Sequence, residues 1–142
     1  MSKVRGKAGL VSLMDGGRVL EKQRTKIREA MLRSASPETS CNPNRYRRKR
    51  IKSPLYLHCA AAATVIQASF GGDIVTGKVK GITHYWNRLP DGTEVDFTSC
   101  QFGGDGFTPF KRGRKVRERK GPTALRFLLF AQRVVNEYKV IK

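Results

Sequence analysis

Three residues near the middle of the chain have the types and the order of a thiol-nucleophile site. Cys59 stands in LHCAAAATVIQ (57–67), and His84 and Asp96 stand in HYWNRLPDGTEVDFT (84–98). A thiol is a weak nucleophile until something favours its thiolate. A helix N-terminus does so through unpaired N–H groups, and an adjacent imidazole does so by taking the proton. A carboxylate on the other side of the ring then fixes its orientation. Such a set attacks an amide, thioester or isopeptide carbonyl, giving hydrolysis or acyl transfer. The plainer alternative is that Cys59 only fills space, since free Cys is among the most buried residue types.

The elements needed to position these residues can be read locally. Ser53 and Pro54 resemble an N-cap and a first helical residue, and the alanine-rich stretch 59–70 continues until Gly71 and Gly72 stop it, so Cys59 falls early in a helix. Pro90, Asp91 and Gly92 suit a three-residue hairpin loop with Gly92 left-handed. That loop pairs Leu89 with Thr93, hence Trp86 with Asp96 and His84 with Thr98. His84 and Asp96 then become diagonal neighbours on one face, whereas a two-residue loop would put them on opposite faces. IVTGKVKGI, this hairpin and a Gly-rich loop at Gly103, Gly104 and Gly106 make a small antiparallel sheet. A helix is expected over 21–35, with Ile27 and Met31 inward and Lys22, Lys26 and Arg33 available to point outward. Another opens at Pro122, its stripe of Phe127, Phe130, Ala131, Val134, Val135 and Tyr138 reading as core. Trp86 and Tyr85 read as core or site walls. The fold class is α+β: a basic arm over 1–20 and a single domain over 21–142, with basic loops at 45–52 and 111–120.

The charge tells a second story. The 142 residues carry a net charge of +18, distributed as +11 over residues 1–52, −1 over 53–100 and +8 over 101–142. A near-neutral centre between basic flanks points to polyanion partners, with nucleic acid or a ribonucleoprotein ahead of an anionic membrane or an acidic protein. The candidate contacts are Arg45, Arg47, Arg48, Lys49, Arg50 and Lys52 in the first cluster, and Lys111, Arg112, Arg114, Lys115, Arg117, Arg119 and Lys120 in the second. Tyr46, Phe107 and Phe110 beside them would add stacking on bases. Such charge runs are often merely solvated surface, but few acids neutralise these, and repulsion on this scale opposes a compact fold.

Cys41, Cys59 and Cys100 form no CxxC pair, which argues against a disulfide framework. Together with His58 and His84 they match no known zinc spacing, so neither metal nor cofactor is expected. No stretch approaches the ~20 apolar residues of a membrane span. The start MSKVRGKAGLVSLMDGG has too short an apolar run for a signal peptide, so the expected compartment is the cytoplasm.

The residues carrying this reading also carry a resemblance. SPETS (36–40), LHCAA (57–61), FGGDIV (70–75), the 84–98 segment, and Gln101 with Phe102 resemble the pattern of the YunG-like family of small bacterial and phage proteins, over about residues 24–135. More distantly, the Cys, His, Asp order on helix, strand and strand is similar to transglutaminase-like and papain-like thiol enzymes. The resemblance implies an α+β fold with Cys59 as nucleophile, His84 as base and Asp96 as orienting group, in a bacterial or phage-infected cell. Where the family pattern has Gly and Gln before the Cys, this chain has Leu57 and His58. An amide there could serve as an oxyanion donor, and His58 is the candidate to replace it, with a charge that depends on pH. The function expected is nucleic-acid or ribonucleoprotein binding on this scaffold, and the alternative is a thiol hydrolase or acyltransferase.

Overall fold

The structure is a computed structural model, and it describes residues 21–48, 53–116 and 122–141. Helix α1 spans Glu21–Ser34, α2 Pro43–Arg48, α3 Cys59–Phe70 and α4 Pro122–Val140. Strands β1 (Asp73–Val79), β2 (Ile82–Arg88), β3 (Glu94–Val95) and β4 (Arg114–Lys115) form one antiparallel sheet in the order β3-β2-β1-β4. Two short 3-10 turns, Pro37–Thr39 and Ser99–Phe102, lie between these elements. The arrangement is the expected α+β architecture. The expected arm over 1–20 lies outside the described residues.

Helix α3 is the hinge of the packing, touching α4 on one side and β2 on the other, while α1 packs on α4. Its alanines permit this. Ala60 to Ala63 are all buried, and Asn87 on β2 donates its side-chain amide to the Ala63 carbonyl at 2.9 Å, a contact that larger side chains would hold apart. From α4 come Phe127, Phe130, Ala131, Val134 and Tyr138; from α1 come Ile27, Ala30 and Met31. Each large apolar side chain so buried contributes ~1.5–3 kcal/mol. Outward on α1, Arg33 pairs with Glu29 at 3.1 Å, while Lys26 lies over the Tyr138 ring.

The sheet register follows the turns. Asn87 pairs with Val95 and Arg88 with Glu94, Leu89 N–H donates to Thr93 O at 2.7 Å, and Gly92 has φ +90°, the geometry expected of the Pro90–Gly92 loop. The β1–β2 connection is a two-residue turn in which Lys80 (φ +52°) and Gly81 (φ +79°) are both left-handed. It has no counterpart among the sequence expectations, because Lys lacks the side-chain signal that Asn or Asp supplies at such turns.

Four local expectations require correction. Residues 45–48 are not a loop or extended strip but the last turn of α2, which begins at Pro43. Tyr46 is not free to stack on bases: it is 7% exposed, donates its hydroxyl to Pro54 O at 2.9 Å and packs edge-on to His58. The Cys59 helix does not begin at Ser53–Pro54. Ser53 Oγ accepts the Leu55 N–H in a local turn, Leu57 swings to φ +61°, and regular helix starts only at Cys59. In the basic segment 111–120, residues 114–115 are an edge strand on β1 and 117–120 lie outside the described residues.

The glycine pair after α3 has a steric reason. Gly72 sits at φ +83°, and any Cβ there would collide with the Arg88 carbonyl oxygen of β2. Gly72→Ala is therefore expected to lower stability by at least ~2 kcal/mol in denaturant titrations, whereas Gly81→Ala, whose Cβ meets nothing within 4 Å, loses only the left-handed preference of ~1 kcal/mol.

Candidate active site

The hairpin delivers His84 and Asp96 to one face, as its loop length requires. His84 Nε2 donates to Asp96 Oδ2 at 2.8 Å, with both side chains 1% exposed. The other Asp96 oxygen accepts the Thr98 N–H at 3.0 Å and the Thr98 hydroxyl at 3.2 Å, an Asx-type turn that fixes the carboxylate plane. Asp96 N–H donates to Phe107 O at 2.7 Å, so the chain leaves β3 just where the carboxylate is needed. Rings hold the imidazole: Trp86 lies 5.6 Å away at 31°, and Phe102 meets it edge-on at 4.8 Å.

Cys59 completes the set. It opens α3, is partly exposed, and lies close enough to His84 to favour the protonated ring. Because Nε2 is engaged by Asp96, Nδ1 is the ring nitrogen left for the sulfur. Burial alone would push the imidazole towards neutrality, but hydrogen bonds and charge attraction from Asp96 and Cys59 outweigh it and raise the His84 pKa from 6.5 to about 9. The arrangement can hold a proton on the ring at neutral pH beside a partly exposed cysteine.

His58 belongs to a different part of the molecule. It is 0% exposed; its Nδ1 lies 2.8 Å from Tyr56 O and its Nε2 2.7 Å from Thr39 Oγ1. Burial pushes its pKa down, which suits a neutral ring that donates from Nδ1 to Tyr56 and accepts the Thr39 hydroxyl. With both nitrogens engaged, His58 anchors the start of α3 to the Pro37–Thr39 turn, and an oxyanion role for it has no free donor.

Glu94 is the supporting residue that sequence reasoning missed. Its Oε1 accepts Trp86 Nε1–H at 2.8 Å and Gly113 N–H at 3.0 Å, while Oε2 accepts Arg88 at 2.9 Å. Burial would raise its pKa, but these donors together lower it. Glu94 thereby pins Trp86 against His84 and ties the 111–114 segment to the sheet. The signal was present: Glu94 precedes Asp96 by two residues, so strand alternation puts both on one face.

The predicted basic contacts divide. Arg45, Arg47, Arg48, Lys111, Arg112, Arg114 and Lys115 are exposed; Arg47 pairs with Glu38 at 3.6 Å, Arg112 with Glu94 at 3.7 Å and Lys115 with Asp73 at 3.5 Å. Lys49, Arg50, Lys52, Arg117, Arg119 and Lys120 lie outside the described residues. Phe107 packs on Phe97 and under Arg24, while Phe110 stays 47% exposed. A cleft of about 310 Å3 lies between Lys78 and Thr83 of the β1–β2 hairpin and Lys111, Arg112 and Arg114, with no acidic residue in its lining. Among the described residues, no group of three or more His, Cys, Asp or Glu could hold a metal, and no helix is long and apolar enough to cross a membrane.

A proton held by His84 in the folded state but released near 6.5 on unfolding stabilises the fold fully below pH 6.5. That contribution is lost as the pH rises from 6.5 through about 9. The melting temperature is expected to fall across this window, and Asp96→Asn is expected to flatten the fall. Asp96→Ala should cost ~3–5 kcal/mol at neutral pH by leaving the ring unpaired. Parallel pH profiles for wild type and Asp96→Asn would remove the pair as the source.

Comparison with curated proteins and with solved structures finds no match. The family model described as YunG protein matches residues 23–139, spanning both turns, the Cys59 helix, the hairpin and most of α4. With most of its length matched, including every residue of the site just described, the chain belongs to the YunG protein family.

Proposed function

We propose that the protein is a thiol-dependent hydrolase or acyltransferase acting through Cys59, His84 and Asp96. The observation that carries this reading is the convergence of a partly exposed cysteine at a helix start with a buried His–Asp pair. A thiol beside a protonated imidazole gives up its proton readily, and helix N–H groups favour the resulting anion. In the proposed reaction the sulfur attacks a carbonyl carbon, forming an S–C bond while the carbonyl electron pair moves to oxygen. As the intermediate collapses, the leaving group departs with the proton held by His84. Water, deprotonated by His84, then attacks the thioester and releases the acid and the thiol; an acceptor amine in place of water gives transfer. Asp96 orients the ring throughout. The order of the three residues along helix, strand and strand, similar to papain-like enzymes, supports the same chemistry.

The cleft lined by Lys78, Lys111, Arg112 and Arg114 supports a second function, nucleic-acid or ribonucleoprotein binding, alongside the net charge of +18. The two functions are compatible: the charged surface would deliver a thiol enzyme to an anionic target.

Iodoacetamide alkylation of the full chain, read by peptide mass, tests the first reading. Cys41 is the more exposed thiol, so exposure alone predicts that it reacts first. The expected result is the reverse at about pH 6, where only an activated thiol is ionised, with the advantage of Cys59 abolished by His84→Gln. Faster reaction at Cys41 in wild type would rule out an activated Cys59. For the second reading, affinity for single- and double-stranded RNA and DNA should fall steeply with salt. Replacing Lys111, Arg112 and Arg114 together by Ala should reduce the salt slope by up to about 3, while Cys59→Ala should leave it unchanged. Failure to detect any complex at low salt would defeat the binding reading.

A further inference from the structure

An acyl-transfer site needs a donor for the oxygen that becomes negative. In this chain the family's glutamine before the cysteine is His58, and both its nitrogens are engaged by Thr39 and Tyr56. The 3-10 turn Ser99–Phe102 runs past both halves of the site. Cys100 Sγ lies 3.7 Å from Ser53 Oγ, in the segment leading to Cys59, and Phe102 sets its ring 4.8 Å from that of His84. Gln101 stands between them in sequence. Its backbone N–H donates to Thr98 O at 3.0 Å, tying it to the residue that clamps Asp96. Its side-chain Nε2 is shielded from solvent yet donates to no group of the protein. A buried amide donor without an acceptor is unfavourable, and each such group in a native fold calls for an explanation.

We propose that Gln101 is a catalytic residue, its side-chain amide donating to the oxyanion formed when Cys59 attacks a carbonyl. The inference rests on the thiol reading above. The backbone N–H groups of the first turn of α3, which lack intrahelical partners, supply the companion donors. A site so equipped takes a planar acyl carbonyl, as in an ester, thioester or amide, and stabilises it only after it becomes tetrahedral.

Two probes of the full chain separate this role from a structural one. p-Nitrophenyl acetate acylates a thiolate through an oxyanion and releases nitrophenolate; iodoacetamide alkylates the same thiolate by displacement, with no oxyanion. Gln101→Leu and Gln101→Met both remove the donor at nearly constant volume, so failure of one to fold leaves the other to report. Acylation is expected to slow ~10²-fold or more, with Cys59 alkylation changed less than about threefold over the same pH range, since thiolate formation depends on His84. Unchanged acylation in the variants overturns the role of Gln101 and leaves the thiol reading intact. A parallel loss of acylation and alkylation assigns Gln101 a structural part and overturns the proposal. A wild-type chain alkylated at Cys59 but never acylated overturns both readings together.

Discussion

The hydrogen bond between His84 and Asp96 is the constraint around which the sheet is organised. It joins two groups that are each almost wholly removed from water, and taking charges out of water is expensive enough that an apolar pair of similar volume often gives equal or greater stability. Its cost is offset only by good geometry and by satisfying the remaining lone pairs. Both conditions are met here through local chain direction. The Thr98 turn occupies the second carboxylate oxygen, the Thr76 hydroxyl donates to the His84 carbonyl at 2.8 Å, and Trp86 and Phe102 exclude solvent from the ring. Three connections, at 80–81, 90–92 and 96–98, therefore bear on a single bond.

Around this bond the supports form successive shells of unlike chemistry. Nearest are rings, which set the orientation of the imidazole without competing for its nitrogens. Next is Glu94, which holds one of those rings by its indole N–H and is itself held by Arg88. Beyond it, Gly113 approaches so closely to Val75 and Trp86 that a Cβ there would overlap both, so the stretch 111–115 is drawn onto the sheet by its backbone while its basic side chains stay exposed. The acidic support of the site and the cationic cleft are thus two faces of one carboxylate's interactions.

Much of the site could be read from the sequence because its determinants are local. The length of the Pro90–Gly92 loop fixes the hairpin register, and the register fixes the shared face of His84 and Asp96; no knowledge of the rest of the chain is needed. The Gly71–Gly72 stop and the α4 stripe are legible for the same reason. What escaped is not signalled by the types of the immediately neighbouring residues. Tyr46 looks like an exposed aromatic in a basic run until its ring meets Tyr56 and His58. Ser53–Pro54 looks like a helix start until Leu57 takes a left-handed conformation, one that glycine adopts at lower cost. Neighbours in the run 111–120 gave no hint that Arg114 and Lys115 would pair with Thr76 and Val75, because a charged two-residue edge strand carries no alternation to detect; its lysine and arginine instead discourage further strands from adding there.

The chain has only two histidines, both buried, and they respond to pH with opposite sign. His58 is held neutral, its pKa lowered chiefly by burial, so its contribution is present above 6.5 and lost as acid protonates the ring in the unfolded chain and then in the fold. His84 behaves in the reverse manner towards alkali. Departures from neutrality in the two directions therefore strain different parts of the protein. Acid attacks the joint between the Pro37–Thr39 turn and the start of α3, loosening the platform on which Cys59 stands, a place distinct from the His84–Asp96 pair. Alkali discharges that pair and leaves the platform intact. Damage at low pH would thus be a loss of position, and damage at high pH a loss of charge.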